Sequence, residues 1–191
     1  MEHLKNTVHY SDDVLKDWIE NESLNETLAN KADAIRRDIY GDKVYVRGLI
    51  EFSNFCKNDC FYCGIRKSNK NVERYRLTPQ EIIDCADIGY KLGFRTYVMQ
   101  GGEDTYYTDD MIVEVIETVK DKHPDTAITL SLGEKPYQSY KRFYEAGADR
   151  YLLREETSDR KHYSKLHPSY MSFDNRRESL WQLKEIGYQV G

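Results

Sequence analysis

From residue 44 onward, short runs of β-forming residues alternate with amphipathic helical patterns. The pattern predicts strands at residues 44–52, 95–100, 127–132 and 149–154, with residues 188–190 opening a fifth. It predicts helices at residues 12–20, 24–39, 79–92, 109–122, 137–146 and 173–186. Alternation of this kind indicates parallel strands joined by right-handed helical crossovers. The chain is therefore predicted to have an α/β fold.

Two α/β architectures are open to such a chain, a doubly wound sheet and a (β/α) barrel. No glycine-rich dinucleotide-binding loop follows the first strand, which weakens the doubly wound alternative. The residues with distinctive chemistry come at the carboxyl ends of the predicted strands, where barrel enzymes place their active sites. These observations predict a partial (β/α) TIM-type barrel.

The start and end of the alternation predict the domain organisation. Residues 1–42 form a predicted N-terminal helical extension, and residues 43–191 form the first half of the barrel. The 191 residues end just as the fifth strand begins, so we expect the barrel to be truncated near strand five.

Composition limits the environment and the partners of the chain. A net charge of −5 disfavours nucleic-acid binding, because a negative surface repels the phosphate backbone. No apolar run approaches the roughly 20 residues that a membrane span needs. The first six residues also lack the apolar core of a signal peptide. We therefore expect a cytoplasmic protein with neither nucleic-acid nor membrane partners.

Three of the four cysteines, Cys56, Cys60 and Cys63, lie within eight positions. In a reducing cytoplasm, this C-x3-C-x2-C group indicates a metal or redox site and not disulfides. A structural zinc ion usually takes four ligands in two separated pairs, whereas three thiolates can hold an iron–sulfur cubane and leave one iron open. Cys85 stands alone in a helical pattern, where we expect a small buried side chain.

The cysteine spacing is the signature of the radical S-adenosylmethionine (SAM) superfamily, and the chain resembles that superfamily in two further places. An aromatic residue, Tyr62, precedes the third cysteine, and Gly101-Gly102-Glu103 closes the second strand. The resemblance implies a 4Fe–4S cluster with the three cysteines as its metal ligands and SAM bound at the open iron. It also implies reductive cleavage of SAM to methionine and a 5′-deoxyadenosyl radical that reacts with a substrate.

Longer motifs narrow the resemblance. They are residues 47–54 (RGLIEFSN), 63–66 (CGIR), 74–79 (RYRLTP), 131–134 (SLGE) and 146–157 (AGADRYLLREET). This succession resembles the HydE family of FeFe-hydrogenase maturases from about residue 30 to the end. The sequence departs from that family at Gly101, where we expect serine.

Alternatives remain open on the sequence alone. Methylornithine synthases and biotin synthases share the cysteines and some flanking residues, so a radical SAM enzyme of either type is one alternative. The non-enzymatic alternative is an inactive iron–sulfur or zinc-binding fragment.

The resemblance also implies which residues bind ligands, with no catalytic side chain beyond the cluster and SAM. The residues implied to bind SAM are Tyr62, Gly101, Gly102, Glu103, Arg154, Glu156 and Arg176. Those implied to bind an anionic end of the substrate are Thr129, Ser131 and Arg150. Period-two alternation adds that Arg150, Arg154 and Glu156 share one face of the predicted fourth strand.

The same resemblance implies the partners. They are a small-molecule or organometallic substrate, an electron donor of the flavodoxin or ferredoxin type, and other hydrogenase-maturation proteins.

Overall fold

The computed structural model describes residues 10–191, which divide into two compact units. The first unit ends at Tyr45, close to the predicted boundary after residue 42. It contains α1 (Asp12–Glu20), a short 3-10 turn (Glu22–Leu24) and α2 (Asn25–Tyr40). Neither helix of this unit has a buried residue. Across the described residues, no helix is both long enough and apolar enough to cross a membrane.

The second unit, Val46–Gly191, is a parallel sheet of five strands with helices between them. The strands are β1 (Gly48–Ser53), β2 (Thr96–Gly101), β3 (Ala127–Ser131), β4 (Arg150–Tyr151) and β5 (Gln189–Val190). The helices are α3 (Pro79–Lys91), α4 (Asp109–Lys122), α5 (Tyr137–Glu145), α6 (Arg160–Leu166) and α7 (Phe173–Ile186). Every strand pairs in parallel with the next one along the chain, in the order β1-β2-β3-β4-β5. This is the strand order of a (β/α) barrel, and the predicted fold class is confirmed.

Local capping explains why several helices begin where the sequence predicts. Thr78 accepts a hydrogen bond from the backbone N–H of Glu81, whose carboxylate in turn accepts from Thr78 N–H. This capping box precedes α3, and Pro79 occupies its first turn. Thr108 and Ser172 cap α4 and α7 through their side-chain oxygens.

The two faces of the sheet have different characters. Tyr151 of β4 is fully buried and packs edge-on against Tyr140 of α5, with ring centroids 5.1 Å apart. Leu130 of β3 pairs with Tyr151 in register, so both face the helices. Their neighbours Thr129 and Arg150 also pair in register and point to the opposite face, here called the inner face.

Four predictions about these elements are wrong. The fourth strand was expected at residues 149–154, but β4 is only Arg150–Tyr151, and Glu156 has a left-handed φ of 65°. The strand periodicity therefore does not extend to Arg154 and Glu156. The first strand begins at Gly48 and not at residue 44, because its first pair is with Tyr97 of β2.

The other two errors concern α6 and Cys85. Helix α6 was not predicted, since its seven residues carry little apolar periodicity. Cys85 is exposed, because the buried stripe of α3 runs along Ile82, Ala86 and Gly89 and leaves position 85 to one side.

Candidate functional site

An open cleft of about 360 Å³ lies at the carboxyl ends of the strands. The sequence-predicted residues that line it are Cys56, Cys60, Tyr62, Cys63, Gly101, Gly102, Glu103, Ser131, Arg154, Glu156 and Arg176. Thr129 does not line the cleft but lies two residues before Ser131 on β3, about 7 Å deeper on the inner face. Arg150 lies beside Thr129 on β4. The structure therefore brings eleven of the thirteen predicted site residues to one cleft.

The three cysteines lie on the loop that follows β1, here called the cysteine loop (residues 54–77). The backbone N–H of Cys63 donates to the carbonyl of Cys60 at 3.0 Å, which closes a tight turn between these two residues. Asn58 N lies 3.4 Å from Cys56 Sγ. Burial, together with the neighbouring sulfurs of Cys56 and Cys63, raises the pKa of Cys60 to about 11. A bound metal group would reverse this effect, because metal coordination deprotonates a thiol.

The three cysteines supply one set of thiolate ligands beside the cleft. All three cysteines border the same cleft. Nevertheless, no three His, Cys, Asp or Glu side chains within residues 10–191 converge on a position that could hold one metal ion. Three thiolates are the ligand set of a 4Fe–4S cluster that leaves one iron open.

Arg74 holds the cysteine loop in its fold. Its guanidinium donates to four backbone carbonyls, at Asn54, Ile65 (2.8 Å), Arg66 (2.8 Å) and Asn69 (3.2 Å). These carbonyls lie on both sides of the three cysteines. The planar guanidinium of Arg74 therefore connects the start of the loop to the segment after Cys63.

The segment after β2 is joined to the cysteine loop through Asp104. This buried carboxylate accepts two hydrogen bonds from Arg76, at 2.7 and 2.9 Å, and one from Ser53 Oγ at 2.6 Å. The Arg76 guanidinium also lies over the ring of Phe55, 3.8 Å from its centroid. Ser53 directly precedes the cysteine loop and Arg76 lies near its end, so Asp104 joins both ends of the loop to the segment that carries Glu103.

A group of charged side chains lies beside the cysteines. Arg176 of α7 is 7% exposed, with Nε 2.8 Å from Glu134 Oε1 and Nη2 3.9 Å from Glu103 Oε1. Burial acts to lower the pKa of Arg176, but the two carboxylates and Tyr163 outweigh it and raise the pKa, so the side chain is charged. Glu103 Oε2 also meets Lys57 Nζ at 3.2 Å. Sequence reasoning missed Glu134 as a site residue, although its SLGE motif was recognised.

Polar side chains form a row from β1 to the end of β4. Gln100 donates through Nε2 to Glu51 at 3.1 Å and accepts from Arg154 Nη2 at 3.3 Å.

Glu156 has an unusual backbone conformation, since it is the one non-glycine residue among the described residues with a positive φ. Backbone strain of this kind persists where the surrounding structure holds it, and it is frequent at functional sites.

The two deeper residues offer polar groups on the inner face. Thr129 Oγ1 is buried and has no hydrogen-bond partner among the described residues. Arg150 donates through Nε to Gln189 Oε1 at 2.7 Å, and within the part of the chain that the structure describes its other nitrogens make no hydrogen bond or ion pair. A buried hydroxyl beside a guanidinium can accommodate an anionic group.

The segment 166–171, here called the connector, contacts the cysteine loop from the side of α6 and α7. The backbone N–H of Phe61 donates to Leu166 O at 2.9 Å, and Asp59 N–H donates to Tyr170 Oη at 3.0 Å. Met171 Sδ lies 3.6 Å from Cys60 Sγ. Sequence reasoning missed these contacts, because they join residues 105 to 111 positions apart and no local pattern marks them.

Comparison with known proteins shows which proteins this chain resembles. A family model described as the radical SAM superfamily matches residues 50–190. The [FeFe] hydrogenase maturase subunit HydE of Thermotoga maritima is 46% identical over 184 residues, which are 95% of this chain and 52% of that protein. The 3-methylornithine synthase of Methanosarcina acetivorans is 32% identical over 184 residues, 94% of this chain and 52% of that protein.

The fold agrees as well. The crystal structure of methylornithine synthase (PylB) matches with a TM-score of 0.79 at 32% identity, covering 90% of this chain and 50% of that one. The chain thus spans about half the length of the relatives it matches. Radical SAM proteins in general use SAM and a 4Fe–4S cluster. The family match, the identity to these relatives and the cysteine-lined cleft establish that this chain belongs to the radical SAM superfamily.

Proposed function

We propose that this protein is a radical SAM enzyme of FeFe-hydrogenase maturation, of the HydE type. The observation that carries the proposal is the cleft in which three cysteines face Glu103 and Arg176. The choice of a maturase over a methylornithine synthase rests on identity, 46% against 32% over the same length of chain.

In this proposal Cys56, Cys60 and Cys63 bind three irons of a 4Fe–4S cluster and leave the fourth iron open. Together, the bound cluster and SAM supply the reductive cleavage of SAM to methionine and a 5′-deoxyadenosyl radical. The protein binds and orients SAM. The anchoring of the cysteine loop by Arg74 and Asp104 supports this role, because ligands must be held in place before the cluster is inserted.

The charges beside the cysteines suit the amino-acid end of SAM. That end carries an ammonium and a carboxylate, and we assign the ammonium to Glu103 and the carboxylate to the fork of Arg176. Glu134 holds Arg176 in place through the 2.8 Å contact. The remaining SAM-binding residues of the proposal are Tyr62, Gly101, Gly102, Arg154 and Glu156, which line the same cleft.

We assign Thr129, Ser131 and Arg150 to an anionic end of the substrate, a small molecule or an organometallic fragment. The buried, unpartnered hydroxyl of Thr129 supports this assignment, since a ligand atom would satisfy it. An electron donor of the flavodoxin or ferredoxin type and a reducing cytoplasm complete the proposal, because the cluster must be reduced and its cysteines kept from disulfides. Other hydrogenase-maturation proteins are the proposed wider partners.

Anaerobic reconstitution with iron and sulfide tests the proposal. We expect a brown protein with close to four irons per chain, and we expect Cys56→Ala, Cys60→Ala and Cys63→Ala each to abolish cluster binding. Cys85→Ala is the matched control and should retain the iron, since Cys85 is exposed on α3. Full iron retention in any of the first three variants would refute the assignment.

A further inference from the structure

His167 is a buried histidine in the connector, at the carboxyl end of α6, and it is 3% exposed. Its ring stacks on that of Tyr163, with centroids 3.9 Å apart and planes 20° from parallel. Its Nδ1 lies 3.0 Å from the carbonyl oxygen of Tyr163. The ring is therefore held from one face and by one nitrogen.

These contacts determine the tautomer of His167. A carbonyl oxygen can only accept, so Nδ1 must carry the proton and donate it to Tyr163 O. Burial lowers the pKa of His167, which keeps the ring neutral. A neutral imidazole has one N–H, so Nε2 is left as a hydrogen-bond acceptor.

The acceptor nitrogen points at Tyr62. His167 Nε2 lies 3.3 Å from Tyr62 Oη, and the two rings meet edge to face at 84°, with centroids 5.5 Å apart. The hydroxyl of Tyr62 also lies near the thiol of Cys60. Within the described residues the hydroxyl makes a hydrogen bond to His167 and none to Cys60. The hydroxyl therefore donates to His167.

Tyr62 needs such a partner to hold one orientation. It stands between Cys60 and Cys63, lines the cleft and is 48% exposed, so packing alone does not fix its ring. The neighbouring backbone is already fixed, because Phe61 N–H donates to Leu166 O. His167 thus controls the one part of this turn that the backbone contacts leave free, the direction of the aromatic ring.

We propose that His167 is a positioning residue. It accepts a hydrogen bond from the Tyr62 hydroxyl and so fixes the direction of the Tyr62 ring at the SAM-binding part of the cleft. This inference rests on the proposed function, because SAM is the ligand that the ring contacts. It adds to the site a residue that lies 105 positions from Tyr62 along the chain.

The first test needs no cofactor. In protein labelled with ¹⁵N-histidine, long-range ¹H–¹⁵N spectra should show His167 with the proton on Nδ1, the minor tautomer of a free neutral histidine side chain. Tyr62→Phe should shift the Nε2 resonance, since it removes the donor. A proton on Nε2 would overturn the inference, because the Tyr62 hydroxyl would then have no acceptor there.

The second test is a double-mutant cycle on cluster-loaded protein, with SAM affinity and iron content as readouts. Tyr62→Phe and His167→Phe each keep an aromatic ring and remove one partner. We expect each to weaken SAM binding about two- to tenfold with iron content unchanged. The double variant should lose no more than a single one, because both act through one hydrogen bond.

Other outcomes separate the possible failures. If His167→Phe binds SAM as wild type does, or if the two losses multiply in the double variant, the inference is overturned while the proposed function stands. If His167→Phe does not fold, Tyr62→Phe decides, and an unchanged SAM affinity overturns the inference. A wild-type protein that loads iron but does not bind SAM overturns the proposed function, and the inference falls with it.

Discussion

Gly102 lies directly beneath Phe55 of the cysteine loop, and there is no room between them for a side chain. A Cβ at position 102 would overlap the carbonyl oxygen of Phe55 and stand 2.8 Å from Cys56 Cβ. These neighbours are a backbone carbonyl and the Cβ atom of a cysteine, so they can move away only if the whole loop moves. The second glycine of the motif after β2 therefore sets how closely the cysteines approach the sheet.

We predict that Gly102→Ala displaces the cysteine loop and lowers the iron content after reconstitution. Overpacking of this kind costs about 1–3 kcal/mol. Gly101→Ala is the matched control, since its Cβ would meet the Phe52 ring at 3.3 Å, a distance that a small shift of the ring relieves. Iron content per chain measures the effect. Equal iron content in the two variants would contradict this explanation of the motif.

Arg74→Lys should loosen the cysteine loop although the charge is kept. Lysine cannot span four carbonyls, because its single ammonium lacks the planar fork of arginine. We expect the variant to lose iron to a chelator faster than wild type, and the rate of iron release measures this. Lys70→Gln, at an exposed position of the same loop, should release iron at the wild-type rate. Identical rates in Arg74→Lys and wild type would show that the four contacts do not hold the loop.

Arg176→Gln should weaken SAM binding about ten- to a hundredfold, the loss of a charge-assisted contact of about 1.5–3 kcal/mol. Arg177→Gln is the adjacent control, because Arg177 is exposed and lies 3.9 Å from Glu155. Equilibrium dialysis of SAM against cluster-loaded protein measures both, with iron content as a check on the fold. If both variants bind SAM equally well, Arg176 is not part of the SAM site.

Asp104→Asn should destabilise the protein in a pH-dependent way. Burial acts to raise the pKa of Asp104, but hydrogen bonds from Arg76 and Ser53 outweigh it and hold the pKa below its ordinary value. A depressed pKa contributes stability above the unfolded value of about 3.9, and this contribution is lost as the pH falls through the folded pKa. We expect a loss of about 1.5–3 kcal/mol in the free energy of unfolding at pH 7, since charged hydrogen bonds are removed.

Urea unfolding at several pH values measures this difference. The gap between wild type and Asp104→Asn should be full at pH 7 and shrink as the pH drops below about 4. The exposed Glu114→Gln on α4 should show no such gap. A gap that stays constant down to pH 3 would mean that Asp104 stabilises the protein without its charge.

Local features were predictable from the sequence, and contacts between distant segments were not. The bounds of α4 and α7 were predicted correctly, because the capping residues and the spacing of apolar residues that determine them lie within a short stretch of sequence. The length of β4 depends on pairing with β3 and β5, so six strand-like residues became a strand of two.

The site shows the same division. Cys56, Cys60 and Cys63 stand in one motif whose spacing is visible, and they were predicted as a group. Glu134 reaches the site through Arg176, and His167 reaches it through Tyr62. Glu134 stands in the recognised SLGE motif, but the motif does not show that it pairs with Arg176, and nothing local distinguishes His167 from an ordinary loop histidine. Only the folded chain reveals these two contacts.

The formation of 5′-deoxyadenosine from SAM by the reduced, cluster-loaded protein tests the central claim most directly. With dithionite as reductant, we expect wild type to release 5′-deoxyadenosine and methionine in equal amounts. Cys60→Ala should release neither, and Cys85→Ala should match wild type. Wild-type protein that carries four irons and binds SAM, yet yields no 5′-deoxyadenosine after reduction of its cluster, would contradict the assignment as a radical SAM enzyme.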